Sequence, residues 1–244
     1  MTTQSNTPLP TKRPSLTTEN TWDAMMMLII GAFGFLSFAG IILYMVWSNQ
    51  PPEGFVTGQQ IIIDDIDNEN ESHDNYAHRM YQPGDVGQIT YCEPDAYSRP
   101  TCAHGLLTQA NVDQNHQRTE ITIDPTGWPT QNDAWLKTHL ISPVLGGDTQ
   151  KNNLIPATRL LREQFDKIEQ ETKDYLSNPG NAQCPLYYAV TPNYEGDELI
   201  PRTITIDIES CDHVLSKRHT LYNTMAYYSN KSAINYHTGE IWEH

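Results

Sequence analysis

The longest run of apolar side chains covers residues 24–47 and contains no charged residue. At about 1.5 Å of rise per residue, a helix of this length crosses the roughly 30 Å hydrocarbon layer of a membrane. Trp22 precedes the run, and Tyr44 and Trp47 lie near its end, where aromatic rings prefer the headgroup region. The pattern therefore predicts one transmembrane helix over residues 23–48.

A cleaved signal peptide is the alternative for this run. The run is longer than the apolar core of a signal peptide, and the bulky residues Met45, Val46 and Trp47 stand where small residues precede a cleavage site. An uncleaved membrane anchor is therefore the favoured interpretation.

The distribution of basic residues predicts the orientation of the helix. Lys12 and Arg13 precede it, whereas no Lys or Arg follows it until Arg79. By the positive-inside rule, the N-terminus is cytoplasmic and the chain after the helix is periplasmic or extracellular. Residues 1–22, rich in Thr, Pro and Ser, are predicted to form a disordered cytoplasmic tail.

Small residues recur along the predicted membrane helix at Gly31, Gly34, Ser37 and Gly40. Such a row leaves a shallow groove against which a helix of a membrane-protein partner packs. The alternative is the ordinary small-residue content of a membrane span, and the sequence favours this alternative.

Residues 49–85 differ in character, because acidic side chains crowd positions 64–74. A charge run of this kind is usually solvated, so we expect an acidic stalk. The apolar residues 61–63 within it are able to add one strand, either to the domain or to a partner. A folded external domain is then predicted over residues 86–244.

The first part of this domain shows two periodicities. Apolar and polar residues alternate over 119–124, as in a half-buried strand, and a further strand leads toward His139. Apolar residues then recur at helical spacing over 157–176, with Pro156 in the first turn. One long helix is therefore expected after the first strands.

The second part is richer in strands. Residues 185–190 and 203–208 are β-branched or aromatic runs separated by turn residues, and they predict a strand pair. The pattern at 221–228 fits either a strand or a short helix. Strands, then one long helix, then strands indicate an α+β fold.

Composition narrows the possible functions. The chain has 244 residues with 38% hydrophobic content, which suits one folded core and an appendage. The net charge is −15, from 30 acidic and 15 basic residues. This balance argues against a surface built mainly to hold nucleic-acid phosphates, so any such contact is expected to be local.

Four cysteines follow the predicted membrane helix: Cys92, Cys102, Cys184 and Cys211. An even number in an oxidising compartment predicts two disulfides. Proximity along the chain favours pairing the first with the second and the third with the fourth, although three pairings are possible. A metal site of Cys102, His104 and His116 is the alternative, and it lacks the paired ligand spacing of most zinc sites.

Short motifs follow one another in the order Gly127-Trp128-Pro129, Lys137-Thr138-His139-Leu140, Leu145-Gly146-Gly147, Asn153-Leu154-Ile155-Pro156, Glu169 and Tyr188-Ala189-Val190-Thr191-Pro192-Asn193-Tyr194. This order resembles the DNA/RNA non-specific endonuclease family of ββα-metal nucleases over roughly residues 118–210. The resemblance implies a central antiparallel sheet with one long helix. It also implies hydrolysis of nucleic-acid phosphodiesters with Mg²⁺ or another divalent cation.

The resemblance assigns His139 as the general base. The family signature is Asp-Arg-Gly-His, and here Lys137 stands in the arginine position while Leu136 and Thr138 replace the aspartate and the glycine. A histidine with an ordinary pKa of about 6.5 is suited to accept a proton from water near neutral pH.

The metal position departs from the family pattern. The family supplies an asparagine from the start of the long helix, and ungapped counting from Asn153 puts Arg162 there. A guanidinium has only donors and cannot ligate a cation. Either a one-residue shift makes Glu163 or Gln164 a ligand, or the site has lost its metal. Glu169 matches the helix carboxylate that orients metal-bound water.

Three residues near the site have structural interpretations. Asn153 either shapes the active-site loop or caps the following helix, and the cap is the favoured role. Gly146 and Gly147 are explained by a tight turn with positive φ.

Two functions follow from these patterns. The first is a membrane-anchored external nuclease in which His139 acts together with Lys137 and Glu169. The second is a catalytically inactive nuclease-fold subunit that serves as a structural or interaction component of a membrane assembly. Leu136, Thr138, Arg162, the acidic balance and the predicted membrane anchor favour the second function. The resemblance is the one specific signal in the chain, and it makes the nuclease the favoured interpretation.

Overall fold

The computed structural model describes residues 50–60, 86–113, 120–130, 133–226 and 231–243. The predicted tail, the predicted membrane helix over 23–48, most of the predicted stalk and His116 lie outside these residues. No helix of the described part has the length and apolar character needed to span a membrane.

The described residues contain ten strands, two α-helices with defined bounds and a helical segment at residues 58–60. The strands are β1 (Val56–Thr57), β2 (Ile89–Tyr91), β3 (Ala103–Leu107), β4 (Trp135–His139), β5 (Leu154–Thr158), β6 (Leu186–Asn193), β7 (Thr203–Ser210), β8 (Ser216–Tyr222), β9 (Ser232–Ile234) and β10 (Ile241–Glu243). The helices are α1 (Gln109–Asp113) and α2 (Arg159–Ser177).

Five strands form the central sheet, in the order β2-β3-β6-β7-β8, and every neighbouring pair is antiparallel. The side chains of Leu186, Tyr188 and Val190 alternate toward the main core from β6. β6 and β7 are the predicted strand pair, each extended at its C-terminal end. The predicted α+β class with a central antiparallel sheet is confirmed.

Helix α2 packs against this core through Leu161, Phe165, Ile168 and Leu176, which are all buried. The predicted long helix is therefore present, but it begins at Arg159 because Pro156 lies in β5. Thr158 is the N-cap, and its Oγ1 accepts from the backbone N–H of Leu161 at 3.2 Å. The prediction that Asn153 caps this helix is wrong.

A smaller antiparallel sheet has the order β1-β9-β10, and β1 pairs with β9. A second buried cluster contains Trp135, Ile200, Ile234 and Tyr236. β1 comes from the segment for which the sequence predicts a stalk, and residues 51–244 form one compact unit. The folded part thus includes residues before position 86.

The predicted strand at 119–124 is not formed over its described residues 120–124. Ile121 is only half-buried and Ile123 is exposed, so the alternating pattern has no core to face. At the 221–228 segment, Leu221 and Tyr222 end strand β8, and no helix follows among the described residues up to 226.

Candidate active site

Two strands and one helix frame the candidate site. β4 and β5 pair in antiparallel fashion, so that His139 at the end of β4 lies opposite Leu154. α2 begins directly after β5. This connection brings the last residue of β4 and the first turns of α2 to the same place.

Asn153 fixes the loop that joins the two strands. Its side chain is fully buried, and its Oδ1 accepts from the N–H of Ile141 at 3.0 Å. Its Nδ2 donates to the carbonyls of Ile141 at 2.9 Å and Asp148 at 2.7 Å. Asn153 therefore shapes the loop after His139, which is the role that the sequence interpretation ranked second.

The loop requires glycine at positions 146 and 147 for two different reasons. Gly146 has φ of +89°, which a side chain rarely tolerates. At Gly147 a Cβ would lie 2.0 Å from the carbonyl oxygen of Ile141. The positive-φ explanation thus applies to Gly146, whereas close backbone approach explains Gly147.

His139 is a buried, neutral histidine. The residue is 6% exposed, and its Nε2 lies 2.9 Å from Oγ1 of Thr149. Burial lowers the pKa of His139 to about 4, and the positive charge of Arg162 contributes to the same shift. The ring is therefore uncharged near neutral pH, and Arg162 lies close enough to act on it.

Arg162 is held by two carboxylates on the same face of α2. Its Nη2 lies 2.5 Å from Oδ1 of Asp166 and 3.3 Å from Oε2 of Glu169. The side chain of Glu169 is only 4% exposed and that of Arg162 16%. Spacings of four and seven residues place all three groups on one helix face.

Tyr188, on strand β6 of the central sheet, is the next residue that interacts electrostatically with Arg162 and Glu169. Its side chain is fully buried, and burial together with the negative charge of Glu169 raises the pKa of its phenol, while Arg162 opposes the shift. Tyr188 on β6 therefore lies near the Arg162–Glu169 pair.

Lys137 is held by the loop before β4. Its Nζ lies 2.8 Å from Oδ1 of Asp124, donates to the carbonyl of Ile121 at 3.1 Å, and stands 5.3 Å from the ring centroid of Trp128. Strand alternation puts Lys137 on the same side of β4 as His139, and the intervening Thr138 is fully buried.

The structure does not bring the other two proposed metal ligands to Glu169. Glu163 is exposed, and the Nε2 of Gln164 donates to the carbonyl of Leu160 at 3.0 Å. At about 100° per residue, positions 163 and 164 are rotated away from the helix face that carries Glu169.

The residues around His139 do not fit a divalent ion of the kind that the resemblance implies. The helix side chain that acts on His139 is the guanidinium of Arg162, which has no lone pair to offer. Oδ1 of Asp166 and Oε2 of Glu169 lie 2.5 Å and 3.3 Å from that guanidinium. A positive charge of the protein itself thus stands among the oxygens that an ion would need.

Two disulfides are present, Cys92–Cys102 and Cys184–Cys211, and they are the pairs favoured by proximity along the chain. The sulfurs of Cys92 and Cys102 and a ring nitrogen of His104 lie within 4.8 Å of one another. Because the two sulfurs are bonded to each other, they are not thiolate ligands.

Comparison with known proteins bears on this arrangement. The family model for DNA/RNA non-specific endonuclease matches residues 79–212, which is more than half of the chain. This chain belongs to the DNA/RNA non-specific endonuclease family. The resemblance found in the motifs around His139 is thereby confirmed.

Relatives within the family are distant. A deoxyribonuclease from Streptococcus dysgalactiae subsp. equisimilis is 22% identical over 205 residues, which cover 64% of this chain and 61% of that protein. The chain therefore spans about three fifths of the length of that relative.

Two solved structures share the fold. Sda1 nuclease with a bound zinc ion has a TM-score of 0.54 and 23% identity, and the match covers 65% of this chain and 83% of Sda1. NucA from Streptococcus agalactiae with a bound magnesium ion has a TM-score of 0.50 and 22% identity, with coverage of 64% and 77%. At these identities, the likeness establishes the fold alone.

Sequence reasoning missed three members of the site: Thr149, Asp166 and Tyr188. The role of Asp166 was predictable from the sequence, because an acidic residue four positions after Arg162 on a helix is an expected ion-pair partner. Thr149 lies in a loop, and no motif in the sequence links it to His139. Tyr188 begins the motif at residues 188–194, but the resemblance assigned it no role at the site.

Proposed function

We propose that this chain is a membrane-tethered member of the family whose outer domain does not hydrolyse nucleic acid with a divalent metal ion and serves as a structural or interaction component. The observation that carries this proposal is the position of Arg162. Its guanidinium lies 2.5 Å from Asp166 and 3.3 Å from Glu169, and its charge acts on His139.

Two properties of the site support the loss of hydrolysis. One positive and two negative charges leave the group of Arg162, Asp166 and Glu169 with a net negative charge, which repels a phosphate. A histidine with a pKa of about 4 is also a weak acceptor for a proton of water near neutral pH. Neither the electrostatics nor the base is suited to phosphodiester hydrolysis.

The test is a cleavage assay with the full chain in detergent micelles. Plasmid DNA and RNA are incubated with the wild type and with His139→Ala, in Mg²⁺, Mn²⁺, Zn²⁺ or a chelator. We expect the two proteins to give the same background cleavage under every condition. Cleavage by the wild type that is lost in His139→Ala would exclude the proposal.

Nucleic-acid hydrolysis is the second candidate, and membership of the DNA/RNA non-specific endonuclease family favours it. In this function His139 accepts the proton of the attacking water, and Lys137 and Glu169 are the neighbouring charged groups. Family membership supports nucleic acid as the substrate. The same cleavage assay separates the two candidates.

The proposed location rests on the sequence. The apolar run 24–47 supports one membrane helix over residues 23–48, and the basic residues before it support a cytoplasmic tail over 1–22. Two disulfides support an oxidising compartment for the outer domain. A partner would be a membrane protein that packs on the row of small residues from Gly31 to Gly40.

A further inference from the structure

The carboxylate of Glu169 is a buried charge that requires a cation. Its side chain is 4% exposed, and Arg162 approaches its Oε2 at 3.3 Å. Removing a positive partner from a buried carboxylate is strongly unfavourable. Arg162 therefore stabilises this part of α2 through its charge.

The same guanidinium connects the elements that meet at the site. It joins Asp166 and Glu169 along α2 at 2.5 Å and 3.3 Å, and its charge reaches His139 on β4 and Tyr188 on β6. One cation thus has two carboxylates within 3.3 Å, and its charge acts on a neutral imidazole and on a phenol. These groups are typical surroundings for a bound metal ion as well as for a guanidinium.

We propose that Arg162 is a built-in counter-ion that occupies the cation position of this site, and that Asp166 and Glu169 form a latent divalent-cation site which Arg162→Asn uncovers. The substitution removes the positive charge and shortens the side chain by about three heavy atoms. It also adds an amide oxygen, which is a suitable ligand for Mg²⁺ or Mn²⁺. This inference deepens the proposed function and rests on it only in locating the site.

The experiment measures Mn²⁺ binding and thermal unfolding of the full chain in detergent after treatment with a chelator. The wild type should show no binding heat at this site and the same Tm with EDTA or Mn²⁺. Arg162→Asn should lose about 6–12 °C in EDTA, because a buried pair is broken, and should regain much of that loss in Mn²⁺.

Two control variants separate charge from chain length. Arg162→Lys keeps a cation and should remain insensitive to Mn²⁺. Arg218→Asn removes a more exposed guanidinium, which pairs with Asp207 at 2.5 Å and whose side chain is 34% exposed. It should stay near the wild-type Tm and should also ignore Mn²⁺.

The inference would be overturned if the Arg162→Asn protein is folded but shows no heat of Mn²⁺ binding and no rise in Tm when Mn²⁺ is added. If that variant does not fold, Mn²⁺ stabilisation of the wild type still tests the inference. Mn²⁺ stabilisation of the wild type that disappears in Glu169→Gln would show that an ion, and not Arg162, fills the position. Nucleic-acid cleavage by the wild type in EDTA that is lost in His139→Ala would contradict the purely structural or interaction role proposed above while leaving this inference intact.

Discussion

At the scale of single residues, burial and the positive charge of Arg162 together set the electrostatics around His139, and burial is the larger cause. Burial and a fixed positive charge both disfavour the imidazolium form, so the ring is neutral through the physiological pH range. The hydroxyl of Thr149, 2.9 Å from Nε2, engages the ring from the connecting loop. His139 is therefore an uncharged ring that contacts Thr149 and is influenced by the charge of Arg162.

The first prediction concerns the pKa of His139. In the wild type we expect a value of about 4. Arg162→Gln removes the charge, so the pKa should rise, but it should stay below about 6.5 because burial is the larger cause. NMR titration of labelled histidine rings measures both values. Arg218→Gln is the control and should leave the pKa of His139 unchanged. An ordinary pKa in the wild type would refute the electrostatic account.

The second prediction follows from the same lowered pKa. The unfolded chain binds a proton at about pH 6.5, before the folded chain does. The stabilisation from neutral His139 is therefore complete above that pH and is lost as the pH falls toward 4. The loss amounts to at most about 3 kcal/mol. Urea unfolding at pH 7 and pH 4.5 should show a steeper decline for the wild type than for His139→Gln, and parallel declines would count against it.

The sequence predicted part of this residue-scale picture. The spacing from Asn153 to Arg162 placed the guanidinium at the site, and the motif order placed His139 there as well. The roles of Asn153 and Gly147 were predicted wrongly because both depend on the backbone of Ile141, which the loop folds back onto them. Such contacts depend on tertiary structure and leave no local signal.

At the scale of elements, the site depends on how α2 begins. Thr158 is both the last residue of β5 and the N-cap of α2. Because no residue separates the two elements, the strand determines where the helix begins. The backbone N–H of Thr158 also donates to Oδ1 of the buried Asn223 at 2.8 Å. The helix face that carries Arg162 is thereby aimed at the end of β4.

The third prediction tests this cap. Thr158→Ala removes the acceptor for the N–H of Leu161 and should lower the free energy of unfolding by about 1 kcal/mol. Thr158→Ser keeps the hydroxyl and should retain most of the stability. Chemical denaturation of the three proteins provides the comparison. Equal stability of the Ala and Ser variants would mean that the cap contributes little.

Elements with a strong period and a buried face were predictable. The apolar positions of α2 and the β-branched residues of β6 and β7 gave correct elements, because each packs in the main core. The alternation at 119–124 failed because that segment is not buried. β1, β9 and β10 have two or three residues each, too few for a periodicity to emerge.

At the scale of the whole molecule, the net charge and the predicted membrane helix are the features that bear on function. A net charge of −15 opposes general attraction to nucleic acid, so contact with it would depend on local groups such as Lys137. The family match covers residues 79–212, and the membrane helix is predicted well before it. The domain is thus expected to work at a membrane surface.

The fourth prediction concerns this topology. Detergent, but not high salt, should release the full chain from membranes. Protease added to cells with an opened outer barrier should digest the domain and spare a tag placed before Lys12. A cytoplasmic protein serves as the control for intact membranes. Digestion of the tag with protection of the domain would reverse the proposed orientation.

The most direct test of the central claim, that Arg162 and not a metal ion occupies this site, is a crystal structure of the chain grown with Mn²⁺ and measured for anomalous scattering. We predict the guanidinium of Arg162 between Asp166 and Glu169, with no anomalous peak beside His139. A Mn²⁺ peak coordinated by Glu169, with Arg162 turned away, would contradict the account.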